Sequence, residues 1–95
     1  MIPTIPFNSW SRAKIRTGQK CCTSRTKRYD VEGVTRIEPH PLKYVRDKLY
    51  IQEGAASPKE FEKVWRSIHP IKGFDPEQIV LVHFFENPHK KEAPR

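Results

Sequence analysis

The stretch GQKCCTSR, residues 18–25, sets a lysine, a threonine and an arginine within six positions. A lysine and an arginine at the start of a strand can hold a phosphate through charge-assisted hydrogen bonds. A threonine hydroxyl attacks a carbonyl only when a neighbouring group takes its proton. Lys20, Thr23 and Arg25 are therefore the candidates for binding or for covalent chemistry. Cys21 and Cys22, the only cysteines, lie between them. Neighbouring cysteines join only through a strained ring, so both read as reduced thiols in a reducing compartment, filling space. A Cys21 that shared a face with Thr23 and Arg25 would have its pKa lowered by nearby positive charge. The same residues also read, without chemistry, as a basic strand edge that resists aggregation.

The chain around this stretch has to position it. Alternation over CCTSRT, 21–26, puts Cys21, Thr23 and Arg25 on one face and Cys22 and Ser24 on the other. Lys20 falls on the second face if the strand begins there, and joins Thr23 only if the chain turns or bulges after Gly18. Residues 1–6 form an extended, proline-punctuated lead-in. Asn8 or Ser9 caps a short helix that Gly18 stops. Trp10, Ala13 or Lys14, and Thr17 share a face of it, and Arg12, Lys14 and Arg16 make its outer side basic. KRYDVE, 27–32, is a turn region, and GVTRIE, 33–38, is a second strand broken by Pro39 and Pro41. In 42–52, Leu42, Val45 and Leu49 recur at helical spacing, although the segment reads equally as a helical turn that becomes extended. Ser57-Pro58-Lys59-Glu60 is a capping box. Phe61, Val64, Trp65 and Ile68 follow at i, i+3, i+4 and i+7, predicting a buried face that ends before Pro70. Residues 71–78 are a loop, IVLVHFFE, 79–86, is a central buried strand, and 87–95 are a polar, flexible tail.

Ninety-five residues make one domain with a modest core. Lys and Arg number 18 against 11 Asp and Glu, a net charge of +7. The first 50 residues carry 11 basic and 4 acidic side chains and the rest carry 7 and 7, so all the excess lies in the first half. Such asymmetry suggests a surface that faces a polyanion, nucleic acid being the commonest; a basic surface without a partner has the same composition. Two cysteines without a second pair, and His40, His69, His83 and His89 at no ligand spacing, predict no metal site. No motif implies an organic cofactor. IVLV, 79–82, is too short to span a bilayer. MIPTIPFNSW lacks the basic start and long apolar run of a secretory signal. The expectation is a cytoplasmic protein with no membrane partner.

An aromatic helix, then GxKxxTxR, then a glutamate–glycine pair before a capped helix and a closing strand, is an order that resembles the ASCH family. Its matching pieces are Trp10, Gly18, Lys20, Thr23 and Arg25, then Glu53-Gly54, SPKEFEKVW and VHFFE, so that the resemblance runs over residues 7–86. It implies an α+β fold, a small PUA-like β-barrel with two main helices. Family members usually carry a further hairpin where this chain has only KRYDVEG, so the barrel is expected to be shortened or open on that side.

The resemblance implies two functions. PUA-like domains often bind RNA. On that leading reading, Lys20, Thr23, Arg25 and Glu53 line a pocket for the base of an RNA or nucleotide. Arg12, Lys14, Arg16, Lys27 and Arg28 then form a basic rim for the phosphates. A small bacterial branch is an amidohydrolase that cleaves N4-acetylcytidine to cytidine and acetate, and its catalytic residues fall on Lys20, Thr23 and Glu53. Thr23 would attack the acetyl carbonyl with Lys20 as base, Glu53 would protonate the leaving amine, and Arg25 would stabilise the oxyanion. Read alone, Glu53 is a loop carboxylate paired with a local basic residue. A third reading is a protein-interaction module that sets its basic face on an acidic partner.

Overall fold

A computed structural model describes residues 1–90. Helix α1, Ser9–Arg16, starts at Asn8, whose side-chain oxygen accepts the Ser11 N–H at 2.8 Å and satisfies one of the orphan donors of the first turn. Its inward face is Ser11 and Ile15, flanked by half-buried Trp10 and Lys14. Ala13 and Thr17, expected beside Trp10, are exposed instead. Gly18 follows with a φ of 82°, and a Cβ there would collide with the His89 carbonyl.

Strand β1, Cys22–Arg25, strand β2, Val34–Pro41, and strand β3, Ile79–Phe85, form one antiparallel sheet in the order β1-β3-β2. The α+β class is as expected. Among the described residues the sheet has three strands and stays open, consistent with the shortened, open barrel expected. Apolar β3 is central, with Val80, Val82 and His83 fully buried.

Strand β2 corrects the sequence reading, because it runs through Pro39 and Pro41 rather than stopping before them. It is an edge strand, paired only with β3. Pro39 and Pro41, opposite Leu81 and Ile79, have the same parity. On an edge strand alternate residues turn their N–H away from the neighbour, and a proline there forfeits no ladder bond.

Helix α2, Leu42–Lys48, helix α3, Tyr50–Glu53, and helix α4, Pro58–Ile68, lie between β2 and β3, so the described residues form four helical segments beside the expectation of two main helices. The region 42–52 is helical apart from a break at Leu49 rather than becoming extended. Ser57 caps α4 by accepting the Glu60 N–H at 3.1 Å. The Glu60 carboxylate reaches back to the Ala56 N–H, one residue before the usual capping-box partner. Phe61 and Trp65 are buried beside Leu42, Val45, Val80 and Val82. At roughly 1.5–3 kcal/mol for each fully buried apolar side chain, this cluster supplies most of the driving force.

The polar tail expected from residue 87 begins differently. Asn87 is buried, and its side-chain amide donates to the main-chain oxygens of Ile15 and Lys20 at 2.9 and 2.8 Å. That pair of bonds ties the end of the sheet to the turn that carries Lys20. Residues 91–95 of the expected tail lie outside the described residues. No helix among the described residues is long and apolar enough to cross a membrane.

Candidate functional site

Lys20 precedes β1, so strand alternation does not govern it. The Gln19 and Lys20 N–H groups both donate to the Lys14 carbonyl, and the Cys21 N–H donates to that of Gln52. This turn sends the Lys20 side chain inward. Its ammonium donates to the Glu53 carboxylate at 2.9 Å and to the Glu53 main-chain oxygen at 3.0 Å. Glu53 stands at the end of α3, where cations are favoured by the helix dipole. Gly54 then reverses the chain at a φ of 101°. A Cβ at Gly54 would lie 2.9 Å from that of Lys14 and 3.3 Å from that of Lys20, so glycine also lets the pair close.

Ser24, which the sequence reading left out, is the third member. Its hydroxyl donates to the second Glu53 carboxylate oxygen at 2.6 Å. Lys20 is 2% exposed and Glu53 4%. Both carboxylate oxygens are therefore engaged in a buried Lys20–Glu53–Ser24 chain, with the Trp10 ring centroid 5.9 Å from the ammonium. Removing one partner of such a pair costs about 3–5 kcal/mol, because the other charge stays buried and uncompensated.

Above this floor lies a cavity of about 460 Å³, in the range of small-molecule sites. Its walls include Phe7, Trp10, Tyr29 and Trp65, and its polar lining includes Thr23, Ser24, Arg25 and Glu53. Val64 and Ile68, expected in the core, border the cavity, with Ile68 49% exposed. Helical periodicity marks an inward face but does not tell a packed core from a hollow.

Arg25 donates from Nε to the Thr23 hydroxyl oxygen at 3.2 Å. Its guanidinium carbon lies 5.3 Å from the Phe7 ring centroid and 5.9 Å from that of Tyr29. Among the ion pairs of the described residues Arg25 has no part. Burial pushes its pKa down, partly offset by Tyr29 and Glu53. It stays charged at neutral pH, since the ordinary guanidinium value is so high.

The cavity brings Thr23, Arg25, Glu53 and Lys27 together, with Lys20 beneath them. The rest of the expected rim is not part of its lining. Arg12 donates to the Phe7 carbonyl at 2.6 Å, Lys14 lies over Trp10, Arg28 pairs with Asp30, and Arg16 is exposed on α1. Cys21 does not join Thr23 and Arg25 either: it lines a separate concavity with Arg36 and Phe84. Cys22 is fully buried, and burial, with Glu53 adding to it, raises its thiol pKa. An inert packing role suits it.

His83 fastens the loop that bears Lys27 and Tyr29. The Tyr29 N–H donates to Nε2 at 2.9 Å, which leaves the proton on Nδ1 to donate to the Leu81 carbonyl at 2.9 Å. Burial lowers the imidazole pKa, and Arg25 and Arg28 lower it further against two backbone hydrogen bonds. The ring is a neutral structural strut, with both nitrogens engaged. Among the described residues no group of three or more His, Cys, Asp or Glu side chains could hold a metal ion.

Comparison with family models, with curated proteins and with solved structures finds no match.

Proposed function

We propose that the cavity binds one nucleotide unit, free or within RNA, taking the base among its aromatic walls and the phosphate at Arg25. One observation carries this reading: a half-buried guanidinium without a carboxylate ion-pair partner among the described residues faces an aromatic-walled cavity. A desolvated cation lacking a counter-charge costs stability, and an incoming anion relieves that cost. Base–aromatic stacking contributes about 1–3 kcal/mol per base. Lys27 at the cavity edge adds a second, exposed cation. Phosphate contacts make such binding sensitive to salt. Trp10 and Trp65 both stand in the wall, so titration by tryptophan fluorescence tests the reading. A nucleoside 5′-monophosphate should bind more tightly than its nucleoside, and Arg25→Ala should erase the difference. Equal displacement by an unrelated polyanion would favour the protein-interaction module instead.

The amidohydrolase is the second reading, favoured by the presence of Thr23 and Glu53 on the same cavity. It asks Lys20 to take a proton from Thr23. The Lys20 ammonium instead donates twice to Glu53, and the Thr23 oxygen accepts from Arg25. Catalysis would have to break the buried pair first. Incubation of N4-acetylcytidine with the native chain and with Thr23→Val decides the matter: turnover lost in the variant supports hydrolysis, and no turnover by the native chain removes it.

A further inference from the structure

His83 holds one wall of the cavity by a bond that only one of its protonation states can make. The ring is fully buried on central β3. Its Nδ1 donates to the Leu81 carbonyl at 2.9 Å, and its Nε2 accepts the Tyr29 N–H at 2.9 Å. The neutral imidazole has one acceptor, whereas the imidazolium carries a donor on each nitrogen. A proton on Nε2 therefore sets two donors against each other, and no flip of the ring restores an acceptor. Residues 26–33 bridge β1 and β2, and the Tyr29 N–H is their one main-chain tie to β3 among the described residues. The Tyr29 ring stands at 68° to the imidazole, with centroids 5.7 Å apart. Nothing around His83 would hold a positive charge. The charged and titratable groups that face it are Arg25 from β1 and Arg28 and Tyr29 from the loop, while β2 sets Ile37 opposite it. No carboxylate pairs with it among the described residues.

We infer that His83 is a proton-operated latch on the loop 26–33: a proton taken up at Nε2 releases Tyr29 and opens that side of the cavity. Tyr29 and Lys27 belong to the cavity wall, so the wall parts there. The cluster of Leu42, Val45, Val80 and Val82 stays packed, because none of its members lies in the loop. The imidazolium formed in this way is solvated through the opening, which relieves the cost of a buried, unpaired charge. Histidine is the side chain whose charge changes nearest to neutral pH, so mild acid operates the latch. The latch acts on the free protein, and it requires nothing of what the cavity binds. An anion at Arg25 would favour the imidazolium by its charge, so the latch is tested without ligand.

The test is amide hydrogen exchange, followed by NMR on the isotope-labelled full chain from about pH 7.5 to about pH 5. Each rate is compared with the intrinsic exchange rate at the same pH, and the ring nitrogens of His83 report its protonation in the same sample. The Tyr29 N–H should lose at least about tenfold in protection as the ring takes its proton, since one proton is worth about a factor of ten per pH unit. The Phe85 N–H, bonded to the Cys21 carbonyl in the same sheet, should keep its protection. His83→Gln, whose side-chain oxygen accepts without titrating, should keep Tyr29 protected across the range. If that variant does not fold, the native titration carries the test alone. Unchanged protection at Tyr29 after the ring is protonated would overturn the latch, as would an acid loss that persists in folded His83→Gln. Joint loss at Tyr29 and Phe85, which is unfolding of the sheet, or an imidazole still neutral at the acid end of the range, would overturn it equally.

Discussion

Two clusters of charge on this small protein are built on opposite terms. On the outside, Arg46 pairs with Asp47 at 2.8 Å and with Glu62 at 3.1 Å, Arg66 joins Glu62, and both guanidinium groups lie over Phe74. Hydrogen bonds to Asp47 and Glu62 raise the Arg46 pKa and lower those of the carboxylates, although burial works against Glu62. Every charge there has its counterpart. On the cavity side Lys20 is matched by Glu53, but Arg25 is in no ion pair among the described residues, and burial lowers its pKa against partial offsets from Tyr29 and Glu53, where pairing raises that of Arg46. Arginine over aromatic rings appears in both places. The proposed ligand site is the one whose arginine lacks a carboxylate among the described residues.

The contrast between buried and exposed pairs can be broken most forcefully at Glu53. Glu53→Ala should destabilise the fold by about 3–5 kcal/mol, leaving the Lys20 ammonium in the interior alone. For a domain whose whole stability is about 5–15 kcal/mol, this is a large share. Glu62→Ala, which removes the partner of Arg66 and one of the two partners of Arg46, should cost about 1 kcal/mol or less for each pair lost. Urea unfolding of both variants checks the difference. A Lys20→Met, Glu53→Leu double variant should recover much of the loss, since it removes the orphaned charge along with its partner. These magnitudes bear on function as well: activity lost on changing Lys20 or Glu53 alone counts for a chemical role only in protein shown to be folded.

Acid sharpens the contrast through His83. Its folded pKa lies below the ordinary 6.5, so the unfolded chain takes up the proton first as the pH drops. Stability from this group is whole above about pH 6.5 and declines as the pH falls from there towards the folded value, by up to about 1.4 kcal/mol per pH unit. Urea midpoints measured from about pH 7.5 down to about pH 5.5 should show that decline, and His83→Gln should flatten it. Loss of the Tyr29 N–H bond to the ring should weaken the cavity wall with it, whereas the Arg46 cluster holds no histidine.

The smallest change in stability is expected from the arginines themselves. Arg46→Met should lower stability by about 1 kcal/mol and leave ligand affinity untouched. Arg25→Met should change stability by less than that, because the lost bond to Thr23 is balanced by removal of an unmatched, desolvated charge. That outcome is what the proposed binding role predicts.

Local rules made part of this legible from sequence. The Ser57 cap, Pro58 and the Pro70 stop defined α4, and the Gly18 stop placed the turn before Lys20, because capping and glycine conformations act within a few residues. The continuous apolar run of β3 announced a central strand. What escaped were relations set by distant neighbours. Pro39 and Pro41 break a strand only when their N–H positions face a partner, and the edge position of β2 is decided by the whole sheet. Ser24 meets Glu53 across 29 residues, and nothing in CTSR says which hydroxyl will do so. Asn87 looked like tail because its partners are main-chain carbonyls near residues 15 and 20, invisible to any side-chain pattern. The expected rim drew on charge alone, and charge does not say which way an exposed arginine leans.

The proposed role of Arg25 is to hold an anion inside the cavity. Its most direct test is calorimetric titration of native protein and Arg25→Met with a nucleoside 5′-monophosphate, at about 50 and about 200 mM salt. Native protein should bind, more weakly as salt rises, and the variant, as stable as its parent, should lose at least about tenfold in affinity (about 1.4 kcal/mol). Equal affinity in the two proteins would contradict it, and would make Arg25 one more basic side chain on a basic surface.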